Sequence, residues 1–186
     1  MTPILDLWLP TVVAAVLVFA ASSVLHMVLT YHRRDYKQLP NEAETLEGLR
    51  RARLSPGLYI FPYAAGGKEM RTPEMQEKLR QGPVGMLTMR PSGQMGMGKY
   101  LGLWFGYCLL VSVFVACLAG RALPPGADSH DVFHFAATAA FLVYGVAPIV
   151  DSIWLGIPWP NTLRAILDGV IYALVTAGAF AWLWPS

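Results

Sequence analysis

Trp8-Leu9-Pro10-Thr11-Val12-Val13-Ala14-Ala15-Val16-Leu17-Val18-Phe19-Ala20-Ala21-Ser22-Ser23-Val24-Leu25-His26-Met27-Val28-Leu29-Thr30 runs for 23 residues without a Lys, Arg, Asp or Glu. About 20 predominantly apolar residues carry a helix across roughly 30 Å of hydrocarbon, so this stretch predicts a membrane span. Three further stretches are long and apolar enough, at 100–120, 132–153 and 163–184. The expected fold is an all-α integral membrane protein of four transmembrane helices, with a small α+β insert, 31–99, between the first and second.

Composition points the same way. Hydrophobic residues make up 55% of the chain and charged residues 14%, with a mean hydropathy of +0.44. A soluble domain carries about 25% charged residues, and this chain could not cover its own surface with so few. Two Cys in 186 residues exclude a disulfide framework. A disordered or collagen-like chain is excluded by the same figures.

Charge is concentrated in the insert, which holds 12 of the 14 Lys and Arg and 7 of the 12 acids, a formal balance of +5. The exceptions among the basic residues are Arg121 and Arg164. A secretory signal would need positive charge before its apolar run, and here His32-Arg33-Arg34-Asp35-Tyr36-Lys37 follows it. Lys and Arg near span ends mark the cytoplasmic side, so the insert is expected inside and both termini periplasmic or extracellular. Trp8, Trp182 and Trp184 then fall at the outer boundary and Trp104, Trp154 and Trp159 at the inner one, as interfacial anchors should.

Small residues suggest how the spans pack. Gly102 and Gly106 form a GxxxG, Ala116 and Gly120 repeat that spacing, and both pairs would admit a neighbouring backbone. Ala136, Ala137, Ala139 and Ala140 line the third span before an expected kink at Pro148. Asp168, Tyr172 and Thr176 share one face of the fourth, which predicts an inward-facing polar stripe in a four-helix bundle. Asp151, Arg164 and Asp168, with Arg164 and Asp168 as i,i+4 partners, read as a structural ion-pair cluster at the inner boundary. His26 joins Ser22, Ser23 and Thr30 in a polar stripe suited to interhelical hydrogen bonding, to a proton relay or to lipid contact.

In the insert, Asn41 with Glu44 has capping-box spacing for a helix to Arg53, and Thr72-Pro73 opens a second helix to Arg80. Leu58–Phe61 and 85–90 read as short strands.

Several motifs touch on chemistry. Gly93–Lys99 matches GxxxxGK, but Tyr100 replaces the Ser or Thr that would bind Mg²⁺, which argues against nucleotide binding and for a glycine hinge. No basic pattern asks for nucleic acid. His26 and His134 lie at opposite ends of their spans, and His26 and His32 are six apart on one helix, so neither pairing offers opposed haem ligands. His130 and His134 are i,i+4 and could hold a metal with Asp131 or Asp128 as third ligand at the outer face. Met86, Met89, Met95 and Met97 read as an adaptable apolar surface in preference to a Cu(I) site. Cys108 and Cys117 face opposite sides of one helix. The sequence requires no cofactor, and no nucleophile, base and oxyanion donor assemble in one place.

His26–Lys37, Gln81-Gly82-Pro83-Val84-Gly85 and Asp168-Gly169-Val170-Ile171-Tyr172-Ala173 resemble a family of small, uncharacterised polytopic proteins of the bacterial inner membrane. The resemblance spans the chain and implies that fold and location, without a functional residue. The expected role is a non-enzymatic accessory or assembly subunit that contacts the lipid bilayer and a membrane-protein partner or a second copy. The competing expectation is a metal- or redox-cofactor-associated protein of an electron-transfer complex.

Overall fold

The computed structural model describes residues 1–93 and 96–186. Gln94 and Met95, and with them the centre of the GxxxxGK stretch and one of the four Met, lie outside the described residues. The chain forms two compact units, one of Met1–Tyr36 with Gly96–Ser186 and one of Lys37–Met95.

The first unit is helical. A short 3₁₀ turn, Ile4–Leu7, leads into α1, Trp8–Ser23, which widens into a π-turn at Val24–Val28 and is followed by a 3₁₀ turn at Tyr31–Asp35. After the insert come α5, Met97–Ala122, and α6, Ser129–Phe141, which also ends in a π-turn, Leu142–Val146. A short α7, Ile149–Trp154, starts at Pro148, and α8 runs over Trp159–Trp182. Four segments are long and apolar enough to cross a membrane: Ile4–Val28, Met97–Ala122, Ser129–Trp154 and Trp159–Trp182. Less than half of each is buried. Leu103, Leu110, Phe114, Leu142 and Leu163 are more than half exposed, an apolar surface far beyond what a soluble monomer shows.

Packing uses small and β-branched residues. α6 packs mainly on α8, and α1 on both α5 and α8. Ala14, Ala15, Val18, Val115, Ala136 and Phe180 are fully or almost fully buried where these faces meet. Two glycines permit the closest approach, because a Cβ on Gly169 of α8 would stand 2.4 Å from the Cα of Gly145 in the third span. Ala116 and Gly120 are buried. A Cβ on Gly120 would lie 2.7 Å from the carbonyl oxygen of Thr2, whose N–H donates to the Gly120 carbonyl at 2.7 Å. Gly102 and Gly106 correct the expectation for them, since added Cβ atoms would meet nothing within 4 Å and both residues are exposed. That face of α5 is open in the single chain.

The insert contains α2, Glu42–Arg51; β1, Gly57–Phe61; α3, Gly67–Met70; α4, Pro73–Gln81; and β2, Gly85–Met89. β1 and β2 pair antiparallel with Gly57 opposite Met89 and Phe61 opposite Gly85. Thr72 caps α4 as its sequence implies, accepting from the Met75 N–H at 3.3 Å. Asn41 does not cap α2: it is left-handed at φ 50°, and no hydrogen bond from its side chain caps the helix. Met86 and Met89 face opposite sides of β2, which separates two of the four Met.

Candidate functional site

α1 stops two residues earlier than its apolar run suggests. Leu29 turns extended at ψ 139°, and the 3₁₀ turn after it folds Tyr31 and His32 back toward α8. His32 therefore stacks on His26 with ring centroids 4.2 Å apart and planes 11° from parallel. A continuous helix would have kept these rings on different faces; the break sets them side by side, still without the opposed placement that axial haem ligands need.

Asp168 of α8 is the centre of the cluster and is only 4% exposed. Its Oδ1 accepts a hydrogen bond from the Tyr31 hydroxyl. Its Oδ2 lies 2.8 Å from His32 Nε2 and 3.8 Å from His26 Nε2. Arg164 does not pair with Asp168 as i,i+4 spacing suggested. Its Nε donates to Asp35 Oδ1 at 2.5 Å and its terminal nitrogen to Asn161 Oδ1 at 3.0 Å, while Asn161 donates to the Asp35 carbonyl at 3.0 Å. Asp151, exposed and one turn past the π-turn, lines the space beside Asp168.

The outer atoms of each ring are held by partners that define its inner atoms. His26 Nδ1 lies 3.1 Å from the Ser22 carbonyl, an acceptor only, so that nitrogen carries the proton and Nε2 presents a lone pair. His32 Nδ1 lies 2.6 Å from Asp35 Oδ2 and its Nε2 2.8 Å from Asp168 Oδ2, so the ring bridges two carboxylates and becomes a ligand at Nε2 only when that nitrogen yields its proton to an incoming cation. The result is a carboxylate–histidine arrangement of the kind that orients metal ligands, with Arg164 fixing the carboxylate in turn. Partial burial by itself raises the Asp35 carboxyl, but hydrogen bonds from His32 and Arg164 and their charges outweigh it and hold the group below the usual carboxylate range. Burial, then the hydrogen bond to Asp168, pushes the Tyr31 phenol well above its ordinary value, so it stays a donor.

His26 Nε2, His32 Nε2 and the Asp168 carboxylate are thus gathered in one place, while the guanidinium of Arg164 is engaged by Asp35. Among the described residues, His26, His32 and Asp168 are the three-donor grouping, with ligand atoms all within 4.8 Å of one another. Donors about 2.0–2.1 Å from a tetrahedral Zn²⁺ stand roughly 3.3 Å apart, a value that the 2.8 and 3.8 Å separations bracket. The outer-face residues are arranged differently. His130 and His134 approach Nε2 to Nε2 at 3.1 Å on the exposed first turns of α6, whereas the Asp131 carboxylate is 3.9 Å from His130 Nδ1, beyond the opposite edge of that ring. Asp128 serves as the helix cap, accepting from the His130 N–H at 2.8 Å.

Beside the cluster lies a cavity of about 770 Å³, lined by both π-turns through His26, Met27, Val143 and Tyr144 and by α5 and α8 through Trp104 and Tyr172. π-turns inside helices concentrate at functional sites. A second, more polar cavity of about 500 Å³ shares His26, Pro148, Asp151, Ala165 and Asp168 with it and adds His32, Asp35 and Asn161. The cluster thus forms the wall between an apolar space and a polar one. Trp104 is not simply an interfacial anchor, because it is half-buried and its indole N–H donates to Ser22 Oγ at 2.7 Å.

No family model, curated protein or solved structure matches the chain.

Proposed function

We propose that this chain is a multi-pass protein of the bacterial inner membrane that binds a divalent transition-metal ion through His26 Nε2, His32 Nε2 and Asp168 Oδ2. The observation that carries the reading is the closeness of these three donors, all within 4.8 Å of one another, each with its remaining polar atom already engaged by Ser22, Asp35 or Tyr31. A buried carboxylate without a cation is costly, and a bound cation would remove that cost. Two imidazoles and one carboxylate suit Zn²⁺ with an open fourth position, or Fe²⁺ with more. The half-exposed His26 leaves the metal reachable from the cavity.

The test is the metal content of the gently purified chain, before and after chelation and Zn²⁺ return. About one ion per chain is expected, falling at least tenfold in His32→Gln and Asp168→Asn and unchanged in His130→Gln. Loss of the ion in His130→Gln alone would move the site to the outer face. A metal-free wild type that takes up neither Zn²⁺ nor Fe²⁺ would leave the cluster as a charged imidazole bridging Asp35 and Asp168. The accessory-subunit reading keeps one supporting observation, the open Gly102–Gly106 face of α5 on which another helix could pack.

A further inference from the structure

We infer that the apolar cavity beside the cluster binds a neutral, lipid-soluble quinone, its ring against aromatic side chains and a carbonyl oxygen toward the His26–Asp168 end. The inference goes beyond the metal reading and shares with it only His26 and Asp168.

Four rings of the lining form a closed circuit. Trp104 lies 5.4 Å from Tyr107, Tyr107 5.9 Å from Tyr144, Tyr144 5.5 Å from Tyr172, and Tyr172 6.0 Å from Trp104, centroid to centroid. A planar ring adds to such a wall by stacking or edge contact, which a flexible acyl chain cannot do. Tyr144 and Tyr172 are 6% and 4% exposed, and their hydroxyls have no hydrogen-bond partner among the described residues. The Cys108 thiol beside Tyr144 is at best a weak partner. Both hydroxyls are closed off from the cavity, so these two rings form the back of the wall and a ligand meets the more exposed Trp104 and Tyr107.

The charges on the wall select against other lipids. The described lining residues include Asp151 and Asp168 and no Lys or Arg, so without a bound metal the wall offers a phosphate headgroup no counter-charge. A cavity of about 770 Å³ lies in the range that holds a small cofactor or drug-sized molecule. Met27, Leu101 and Val143 give the remainder an apolar surface suited to the start of an isoprenoid tail.

The test uses the purified full chain in nanodiscs, titrated with decylubiquinone and followed by Trp fluorescence quenching. Saturable quenching is expected, with much of its amplitude lost in Trp104→Phe. Ala147 lines this cavity and not the polar one, so Ala147→Phe should fill the space and weaken binding at least tenfold while the metal content, which reports folding, is kept. His32 lies outside this lining, so His32→Gln should lose the metal yet bind the quinone within threefold of wild type. That pair of variants separates the two readings, since quinone binding in a metal-free chain sinks only the metal. Non-saturable quenching, or an unchanged affinity in Ala147→Phe, would overturn the inference. So would equal displacement of the quinone by dioleoylglycerol, which would show a site for neutral lipids in general.

Discussion

Asp168 has one oxygen committed to the Tyr31 phenol and the other facing two imidazoles, with water almost wholly excluded. Removing a partner from such a desolvated set costs about 3–5 kcal/mol, because the groups left behind keep their burial and lose their compensation. Asp128 also has a structural duty as the cap of α6, and losing a cap costs about 0.5–2 kcal/mol. Asp168→Ala is therefore expected to lower the thermal midpoint several times more than Asp128→Ala, measured by a fluorescence melt in detergent; equal shifts would show Asp168 to be hydrated. The four-residue spacing of Asp168, Tyr172 and Thr176 makes their inward face legible in the sequence, and all three are buried. Their partners are not legible there. Whether Arg164 turns to Asp168 or to Asp35 depends on where the chain goes after Leu29, and no apolar pattern records a 3₁₀ turn that places Tyr31 and His32 over α8.

Elements show the same division. Length and hydropathy locate all four spans to within a few residues, and the insert's strands pair over nearly the expected residues, because both signals are local. The contact that sets the separation of α8 from the third span is not local. Gly145 and Gly169 belong to no GxxxG pair within either helix, yet their backbones nearly touch, whereas the visible Gly102–Gly106 pair faces open space. The π-turns are equally silent in the sequence, although both end at the cavity. Gly169→Ala would drive a methyl group to 2.4 Å from the Gly145 Cα, and since backbone cannot yield as a side chain can, α8 must move. Overpacking of this order costs about 1–3 kcal/mol. Gly178 on the same helix has nothing within 4 Å of its added Cβ and is the matched control. Gly169→Ala should lower the melting midpoint and weaken metal retention by shifting Asp168, while Gly178→Ala should leave both near wild type. Metal retention unchanged in Gly169→Ala would show that the cluster tolerates movement of α8.

At the scale of the whole chain the remaining question is which end of the helical unit faces the cytoplasm. Its two ends are defined by hydrogen bonds. At one, Thr2 bonds to Gly120 and, through its hydroxyl, to the Leu123 carbonyl at 3.0 Å, while the Gly126 N–H donates to Pro185 at 2.8 Å and the Trp184 indole to Pro124 at 3.0 Å. Both termini and the α5–α6 connection therefore share an end. At the other end lie His32, Asp35, Asn161 and Arg164, next in the chain to Arg33, Arg34 and Lys37. On the proposed reading, the excess of Lys and Arg after the first apolar segment would orient this end, and with it the His26–His32–Asp168 cluster, toward the cytoplasm. Thr2 is 5% exposed and hydrogen-bonded, so it is a poor labelling position, whereas Pro125, Ser186 and Ser55 are exposed. In a background of Cys108→Ala and Cys117→Ala, a membrane-impermeant maleimide added to spheroplasts should label Pro125→Cys and Ser186→Cys and spare Ser55→Cys until the membrane is opened. Labelling of Ser55→Cys alone would turn the chain over and place the His26–His32–Asp168 cluster at the periplasmic face, where its metal would come from a different pool.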